Sequence, residues 1–179
     1  MLAVLAGLPG VGKSTLARAL AERRGALVID KDAIRDAIFP AAWVDYSDPQ
    51  NALATDVAYQ VIAYILERDP ATSIVFDGKP FSRQAQRDDA RQVAEQAGSA
   101  FRLIHCVAPD DVVRQRLEDE AARDPRTLVA DRTFAKYRRI QAIFEPIVGP
   151  HLVLDTTTPI AEQVDACARY LASEDDGTP

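Results

Sequence analysis

The sequence lacks any hydrophobic run of the roughly 20 residues that a transmembrane helix needs, so no membrane span is predicted. Its first apolar run, Leu2 to Ala6, has no basic region before it, which predicts a strand rather than a signal peptide. It has only two cysteines, Cys106 and Cys167, and their spacing fits neither a metal site nor a redox motif. We therefore expect buried, reduced thiols in a cytoplasmic protein.

The sequence also lacks the basic excess that proteins binding long nucleic acids usually carry. Its 179 residues include 21 Lys and Arg against 27 Asp and Glu, a net charge of −6. This balance weighs against long nucleic acid as a partner but leaves open a short 5′ end in a local basic cleft. The length suits one α/β domain. We predict a single domain over residues 1–173, a disordered tail over 174–179, and a monomer or weak dimer.

A glycine-rich stretch near the start fits G-x-x-x-x-G-K-[ST], the pattern of a phosphate-binding P-loop. Glycines let the backbone curl so that several N–H groups point at one phosphate, and the following helix N-terminus adds donors. Lys13 is predicted to reach the β- and γ-phosphates, and Ser14 to offer its hydroxyl to Mg²⁺. A glycine-rich turn before an ordinary helix is the alternative. The predicted nucleotide-binding residues are Gly7, Leu8, Pro9, Gly10, Val11, Gly12, Lys13, Ser14 and Thr15.

Five short apolar segments alternate with helical patterns along the chain. This alternation predicts an α/β fold, a three-layer α/β/α sandwich around a five-stranded parallel sheet. In such sheets ligands bind beyond the carboxyl ends of the strands. We expect strand one to end at the P-loop, strand two at Asp30, and strand three at Asp77.

Two carboxylates, Asp30 and Asp32, are predicted to face the nucleotide, because alternate residues of a strand point to one side. One carboxylate can accept the proton of an acceptor hydroxyl while the other reaches the water shell of Mg²⁺. Arg35, about one helical turn beyond Asp32, is expected to hold the acceptor or the transferring phosphoryl group. The alternative is that a strand-end aspartate caps the next helix.

Two further residues are candidates for the same site. Asp77 ends an apolar strand, where we expect it near Mg²⁺ and the acceptor, with a helix cap or turn as the alternative. Trp43 lies in a predicted loop over residues 41–50 and is expected either to contact the acceptor or to pack in the core.

Taken together, the P-loop, the stretch Asp30 to Arg35 and Asp77 resemble the small P-loop kinases of the predicted-kinase type. That group includes 5′-hydroxyl polynucleotide kinases, chloramphenicol phosphotransferase, shikimate and gluconate kinases, and zeta toxins. The resemblance implies a nucleoside-kinase-like P-loop NTPase fold. It also implies that Asp32 is the general base and that Asp30 lies by the metal-bound water. The chain departs from polynucleotide kinases at Gly78-Lys79-Pro80, where they tend to have Thr and Asn.

The resemblance further implies a helical lid whose arginine closes over the phosphates, predicted here over about 114–132. Arg116 and Arg123 are the predicted catalytic lid residues; a solvated helix face is the alternative. The arginines that cluster around this proline-containing break are Arg114, Arg116, Arg123, Arg126 and Arg132.

These features lead us to expect an ATP- and Mg²⁺-dependent kinase that phosphorylates an alcohol group of a small molecule, such as an antibiotic, a sugar or a nucleoside-like compound. The lack of an N-K-x-D guanine signature favours ATP over GTP. A 5′-hydroxyl polynucleotide or nucleotide kinase is the alternative enzyme. A nucleotide-dependent switch with slow hydrolysis is the alternative outside the kinases, although a switch needs no acceptor base.

Overall fold

The structure is a computed structural model that describes residues 1–123 and 133–173. Its five strands form one wholly parallel sheet with the order β2-β3-β1-β4-β5, which confirms the predicted sheet. The strands are β1 Leu2–Ala6, β2 Leu27–Asp30, β3 Ile74–Asp77, β4 Phe101–Val107 and β5 Leu152–Asp155.

Seven α-helices in the described part of the chain cover the two faces of this sheet. They are α1 Lys13–Arg24, α2 Lys31–Ile38, α3 Asp48–Arg68, α4 Gln84–Gln96, α5 Asp110–Arg123, α6 Phe134–Ala142 and α7 Ile160–Ala172. A short 3-10 helix, Ala41–Trp43, connects α2 to α3. Among these helices, none combines the length and the apolar character that crossing a bilayer requires.

Strand β1 is buried along its whole length because both of its faces contact hydrophobic cores. Leu2 and Val4 join the core that holds buried residues of α3 and α4, while Ala3 and Leu5 join the core that holds those of α1, α5 and α7. Burying an aliphatic side chain of this size contributes about 1.5–3 kcal/mol. The two cores thus hold β1 at the centre of the sheet, and the P-loop follows it there.

Helix α2 begins earlier than the sequence pattern indicates, and this changes the geometry of the predicted carboxylate pair. The Asp30 side chain accepts hydrogen bonds from the backbone N–H groups of Asp32 (2.8 Å) and Ala33 (3.4 Å). This N-cap starts the helix at Lys31. Asp32 is therefore a helical residue, and the prediction that strand alternation aims both carboxylates in one direction is wrong.

Helix α6 ends at Ala142, and Phe144 just beyond it stacks on His105 of β4 with ring centroids 5.4 Å apart. Cys106 and Cys167 are buried free thiols, as expected.

Parts of two other predictions fall on residues that the structure leaves undescribed. Residues 124–132 of the predicted lid and the predicted tail over 174–179 lie outside the described residues. The extent of the domain, 1–173, stays a prediction.

Candidate active site

The P-loop joins β1 to α1 and curls around the end of the Lys13 side chain. The Lys13 ammonium donates to the carbonyl oxygens of Gly7 and Leu8, each at 2.9 Å. Gly10 has φ +78, and a Cβ there would stand 2.8 Å from Cγ of Leu117 on α5. Only glycine allows this left-handed turn to pack so closely against a helix. The loop conformation is thus fixed by its own sequence and by α5.

A cleft of about 1300 Å³ lies against the P-loop. Its walls come from the P-loop, α2, α3, the segment after β3, the start of α4, α5, α6 and the segment after β5. The structure brings most of the predicted site residues to this one cleft. They are Pro9, Gly10, Gly12, Lys13, Ser14, Thr15, Asp32, Arg35, Asp77, Arg116 and Arg123.

Asp32 is held in the cleft by two buried cations of its own helix. Its carboxylate contacts the Lys31 ammonium at 2.7 Å and the Arg35 guanidinium at 2.9 Å. The Asn51 side-chain oxygen accepts from the same two cations, at 2.7 and 3.2 Å. The Tyr46 ring lies 4.3 Å from the Arg35 guanidinium carbon, a cation–π distance. The cations are buried, whereas the Asp32 side chain keeps 44% exposure, so the carboxylate can meet a ligand.

The network also includes Asn51, which no sequence motif indicated, and Tyr46, which belongs to the loop that carries Trp43. Both line the cleft. The Asn51 amide group also donates to the Tyr46 carbonyl oxygen at 2.9 Å, so the start of α3 holds the preceding loop. A single asparagine at the start of a helix carries no motif that would have identified it.

Asp30 lies just outside the cleft wall. Its carboxylate caps α2, the alternative that the sequence left open. Burial raises the pKa of Asp30, and the nearby carboxylates of Asp77 and Asp32 raise it further, against the opposing hydrogen bonds from the α2 backbone. Asp30 is therefore close enough to each of the other two carboxylates to be repelled by it, a situation that a cation relieves.

Asp77 is the carboxylate best placed for such a cation. It is 2% exposed, and its Oδ1 is buried without a hydrogen-bond partner in the described part of the chain. Leaving a buried charged acceptor unsatisfied is costly, so the atom suits an ion or an ordered water. Within residues 1–123 and 133–173, no three acidic, histidine or cysteine side chains converge as a metal cage. Mg²⁺ in kinases needs no such cage, because one or two carboxylates and the substrate phosphates hold it.

The two predicted lid arginines occupy different places on α5. Arg116 donates to the Thr156 carbonyl (2.8 Å) and hydroxyl oxygens (3.1 Å) and to the Val11 carbonyl oxygen (3.3 Å). It thus connects the P-loop to the segment after β5. Arg123 donates only to the Asp119 carbonyl oxygen among the contacts described, at 3.1 Å on the exposed end of α5.

Among the other arginines of the predicted lid cluster, only Arg114 lies in the described part of the chain. Arg114 stacks on the Phe134 ring at 4.0 Å and is not a cleft residue. Arg126 and Arg132 lie outside the described residues.

Trp43 is the predicted acceptor residue that the structure does not bring to the cleft. Its side chain is 74% exposed, so the core-packing alternative is wrong. Its carbonyl oxygen accepts from the Gln50 amide at 2.6 Å, which ties the 3-10 turn to α3. The aromatic residue of this loop that does line the cleft is Tyr46.

The cleft is strongly basic although the chain is acidic. Ten lysines and arginines line it against four carboxylates, so nearly half of the 21 basic residues of the chain are here. A cleft lined by one sign of charge concentrates ligands of the opposite sign. The basic lining residues that the sequence analysis did not single out are Arg18, Lys31, Lys79, Arg83, Lys136 and Arg139.

A P-loop at the end of the central strand, sharing a cleft with an anchored carboxylate, defines a kinase-like P-loop NTPase. Residues 2–147 match the family described as the AAA domain, and the chain belongs to that family. No curated protein matches the sequence significantly.

Three solved structures share the fold over nearly the whole chain. A candidate kinase from Chloroflexus aurantiacus is 25% identical with a TM-score of 0.76, and the match covers 94% of this chain and 97% of that one. An APS kinase from Mycobacterium tuberculosis is 24% identical, with a TM-score of 0.67 and coverage of 96% and 97%. A gluconokinase from Sinorhizobium meliloti is 19% identical, with a TM-score of 0.65 and coverage of 95% and 90%.

Proposed function

We propose that the protein transfers the γ-phosphoryl group of ATP, with Mg²⁺, to a hydroxyl group of a small molecule. The observation that carries this proposal is the placing of Asp32 in the same cleft as Lys13, with its carboxylate anchored by two buried cations yet open to a ligand. A protein that only binds a nucleotide needs no such carboxylate. A kinase needs one to orient the acceptor hydroxyl and accept its proton.

In this proposal the P-loop side of the cleft binds ATP, and the α2 side binds the acceptor. The P-loop backbone and Lys13 bind the β- and γ-phosphates of ATP. Asp32 accepts the proton of the acceptor hydroxyl, and Arg35 positions Asp32 through their 2.9 Å contact. Arg116 and Arg123 neutralise negative charge on the phosphates from the α5 side.

Ser14 and Asp77 are the residues that would hold Mg²⁺. The fit rests on the buried, unpartnered Oδ1 of Asp77 and on the position of both residues in the cleft wall. Bound Mg²⁺ offsets the charge of the phosphate oxygens. Asp30, which caps α2 beside Asp77, would act only through a metal-bound water.

The test is a transfer assay with γ-labelled ATP against a panel of antibiotics, sugars, sugar acids and nucleosides. We expect label in one acceptor class, and loss of that product when Asp32 is changed to Asn. Asp111→Asn, which alters an exposed carboxylate on α5 outside the cleft wall, is the matched control. Release of label as inorganic phosphate at one rate with every compound would instead identify a slow nucleotide-dependent switch.

A 5′-hydroxyl nucleic-acid or nucleotide kinase is the second candidate, and the basic cleft favours it. Ten basic residues can hold the phosphates of a short nucleic-acid end even though the chain as a whole is acidic. Including 5′-hydroxyl oligonucleotides beside free nucleosides in the same assay separates the two candidates. Preferential phosphorylation of the oligonucleotide would favour the 5′-hydroxyl nucleic-acid kinase.

A further inference from the structure

Lys79 is a cation of the cleft that contacts aromatic rings and, among the described residues, no carboxylate, and it belongs to the segment Gly78-Lys79-Pro80 that follows β3. It lines the cleft and is only partly exposed. Its ammonium lies 5.5 Å from the centroid of the Phe81 ring and 5.8 Å from that of Tyr59 on α3. Within residues 1–123 and 133–173, no hydrogen bond or ion pair joins the Lys79 side chain to another residue.

The backbone around Lys79 is fixed on both sides. The Gly7 N–H donates to the Pro80 carbonyl oxygen at 3.0 Å, which ties the segment to the P-loop. Gly78 has φ +91, and a Cβ there would stand 2.9 Å from the Asp30 carboxylate and 3.1 Å from the Lys31 backbone nitrogen. Lys79 is thus held between the P-loop and the start of α2.

The residue after Pro80 strengthens this placement. Phe81 has φ 50, a left-handed conformation that is strained for a non-glycine residue. Its ring is completely buried, in an edge contact with Phe76 at 5.5 Å. The buried Arg87 guanidinium donates to its carbonyl oxygen at 2.8 Å. Packing and this hydrogen bond hold the strained turn, so the cation before it has a defined position.

Lys79 differs from Lys31 and Arg35 in having no carboxylate within ion-pair distance in the described part of the chain. Lys31 and Arg35 both contact the Asp32 carboxylate. The carboxylates of Asp56 and Asp89 act on Lys79 only from a distance and form no ion pair with it. Desolvating an ammonium without an anion costs free energy, and a bound anion offsets that cost.

We propose that Lys79 binds an anionic group of the acceptor, so that the substrate is a small alcohol that also carries a phosphate, sulfate or carboxylate. This inference rests on the proposed kinase function and names the substrate class. Lys79 lies on the α2 and α3 side of the cleft, over Tyr59 of α3 and beside the helix that carries Asp32. The P-loop supplies its own donors for the nucleotide phosphates, so this charge is available to the acceptor.

The first experiment measures anion binding without any turnover. Protein saturated with a non-hydrolysable ATP analogue is titrated with inorganic sulfate by calorimetry, since the analogue keeps sulfate out of the P-loop. We expect Lys79→Met to weaken sulfate binding at least tenfold and Lys79→Arg to retain it. Arg91→Met is the matched control, because Arg91 also stacks on a ring, that of Phe101 at 4.6 Å, but lies outside the cleft wall.

Three results of this titration would overturn the inference. One is that the unchanged protein does not bind sulfate. Another is that Lys79→Met binds it as well as the unchanged protein does. The third is that Lys79→Met weakens the ATP analogue as strongly as sulfate, which would make Lys79 a nucleotide contact. Thermal melting of each variant shows that it is folded, and the long apolar stem of Met keeps the contact with the two rings.

The second experiment uses pairs of alcohols that differ only in charge, such as a sugar and its sugar acid or sugar phosphate. We expect the anionic member to have the higher kcat/KM, and Lys79→Met to raise its KM at least tenfold with the KM for ATP unchanged. Preference for the neutral member, or for a 5′-hydroxyl oligonucleotide, contradicts the inference. If no alcohol is phosphorylated at all, the proposed function fails, and the sulfate titration still decides whether Lys79 is an anion site.

Discussion

The two sides of the cleft are built in different ways. The P-loop side consists of consecutive residues that border the cleft, and its shape is set by glycines such as Gly10. The side that we propose to bind the acceptor, here called the acceptor side, consists of side chains from separate segments. Asp32 and Arg35 come from α2, Asn51 from α3, and Lys79 from the turn after β3.

This difference matches what each side has to recognise. Phosphates are the same in every nucleotide, and a backbone cradle of N–H groups serves all of them. Acceptors differ in shape and charge, and exchangeable side chains on a fixed frame can adapt to them. We therefore expect substitutions on the P-loop side to affect nucleotide binding, and those on the acceptor side to affect transfer without it.

The largest effect should come from the acceptor side, with Asp32→Asn. Asparagine keeps the shape but cannot take the hydroxyl proton, so kcat should fall about 10²–10⁴-fold. The Kd for an ATP analogue, measured by calorimetry, should stay within about twofold. A large loss of nucleotide affinity in this variant would mean that the acceptor side also contributes to nucleotide binding.

Lys13→Ala, unlike Asp32→Asn, should weaken nucleotide binding. Removing the ammonium that lies against the P-loop carbonyls takes away a charge-assisted contact to the phosphates, about 3 kcal/mol or roughly 10²-fold in kcat/KM. Nucleotide affinity should fall as well. Near-normal turnover by the folded variant would show that this loop is not the phosphate site.

Substitutions of the two arginines of α5 should affect different kinetic constants. Arg116→Ala removes the connection between the P-loop and the segment after β5, so we expect a higher KM for ATP. Arg123→Ala should lower kcat at saturating ATP by about tenfold, or about 1.4 kcal/mol. Arg91→Ala is the control outside the cleft wall. Equal, small effects at all three positions would place the catalytic arginine elsewhere.

Substitutions of Asp30 test whether its carboxylate acts only as the N-cap of α2 or also through a metal-bound water. Asn is as good an N-cap as Asp, whereas Ala removes the bonds to Asp32 and Ala33, so only Asp30→Ala should lose stability, by about 1 kcal/mol in urea unfolding. If Asp30 also acts through a metal-bound water, Asp30→Asn should need more Mg²⁺ for half-maximal activity. Identical Mg²⁺ curves would leave Asp30 with the capping role alone.

The smallest effect is expected for Trp43→Ala. A side chain that is 74% exposed outside the cleft wall should change stability by less than about 0.5 kcal/mol and leave the acceptor KM unchanged. Tyr46→Ala is the comparison, because it removes the ring that lies on Arg35. A raised acceptor KM for Trp43→Ala would restore the acceptor role that the sequence predicted.

The sequence determined the features that rest on consecutive residues. The alternation of apolar strands with helices specified the parallel sheet, and the P-loop motif specified where β1 meets α1. Gly25, with φ 68, is the C-cap of α1, a position at which glycine commonly ends helices. Backbone conformation and hydrophobic burial over short stretches follow local rules, so these features could be predicted without the structure.

Only the tertiary structure decided how the acceptor side is assembled. The cap at Asp30 starts α2 at Lys31, which makes Asp32 a helical residue. Asp32 contacts Lys31 and Arg35, and both of these cations donate to Asn51, so the network joins residues up to 20 positions apart. The basic cleft in an acidic chain likewise arises because folding gathers charges from many segments to one place. Such contacts depend on the distance in space between side chains, which no local pattern of residues encodes.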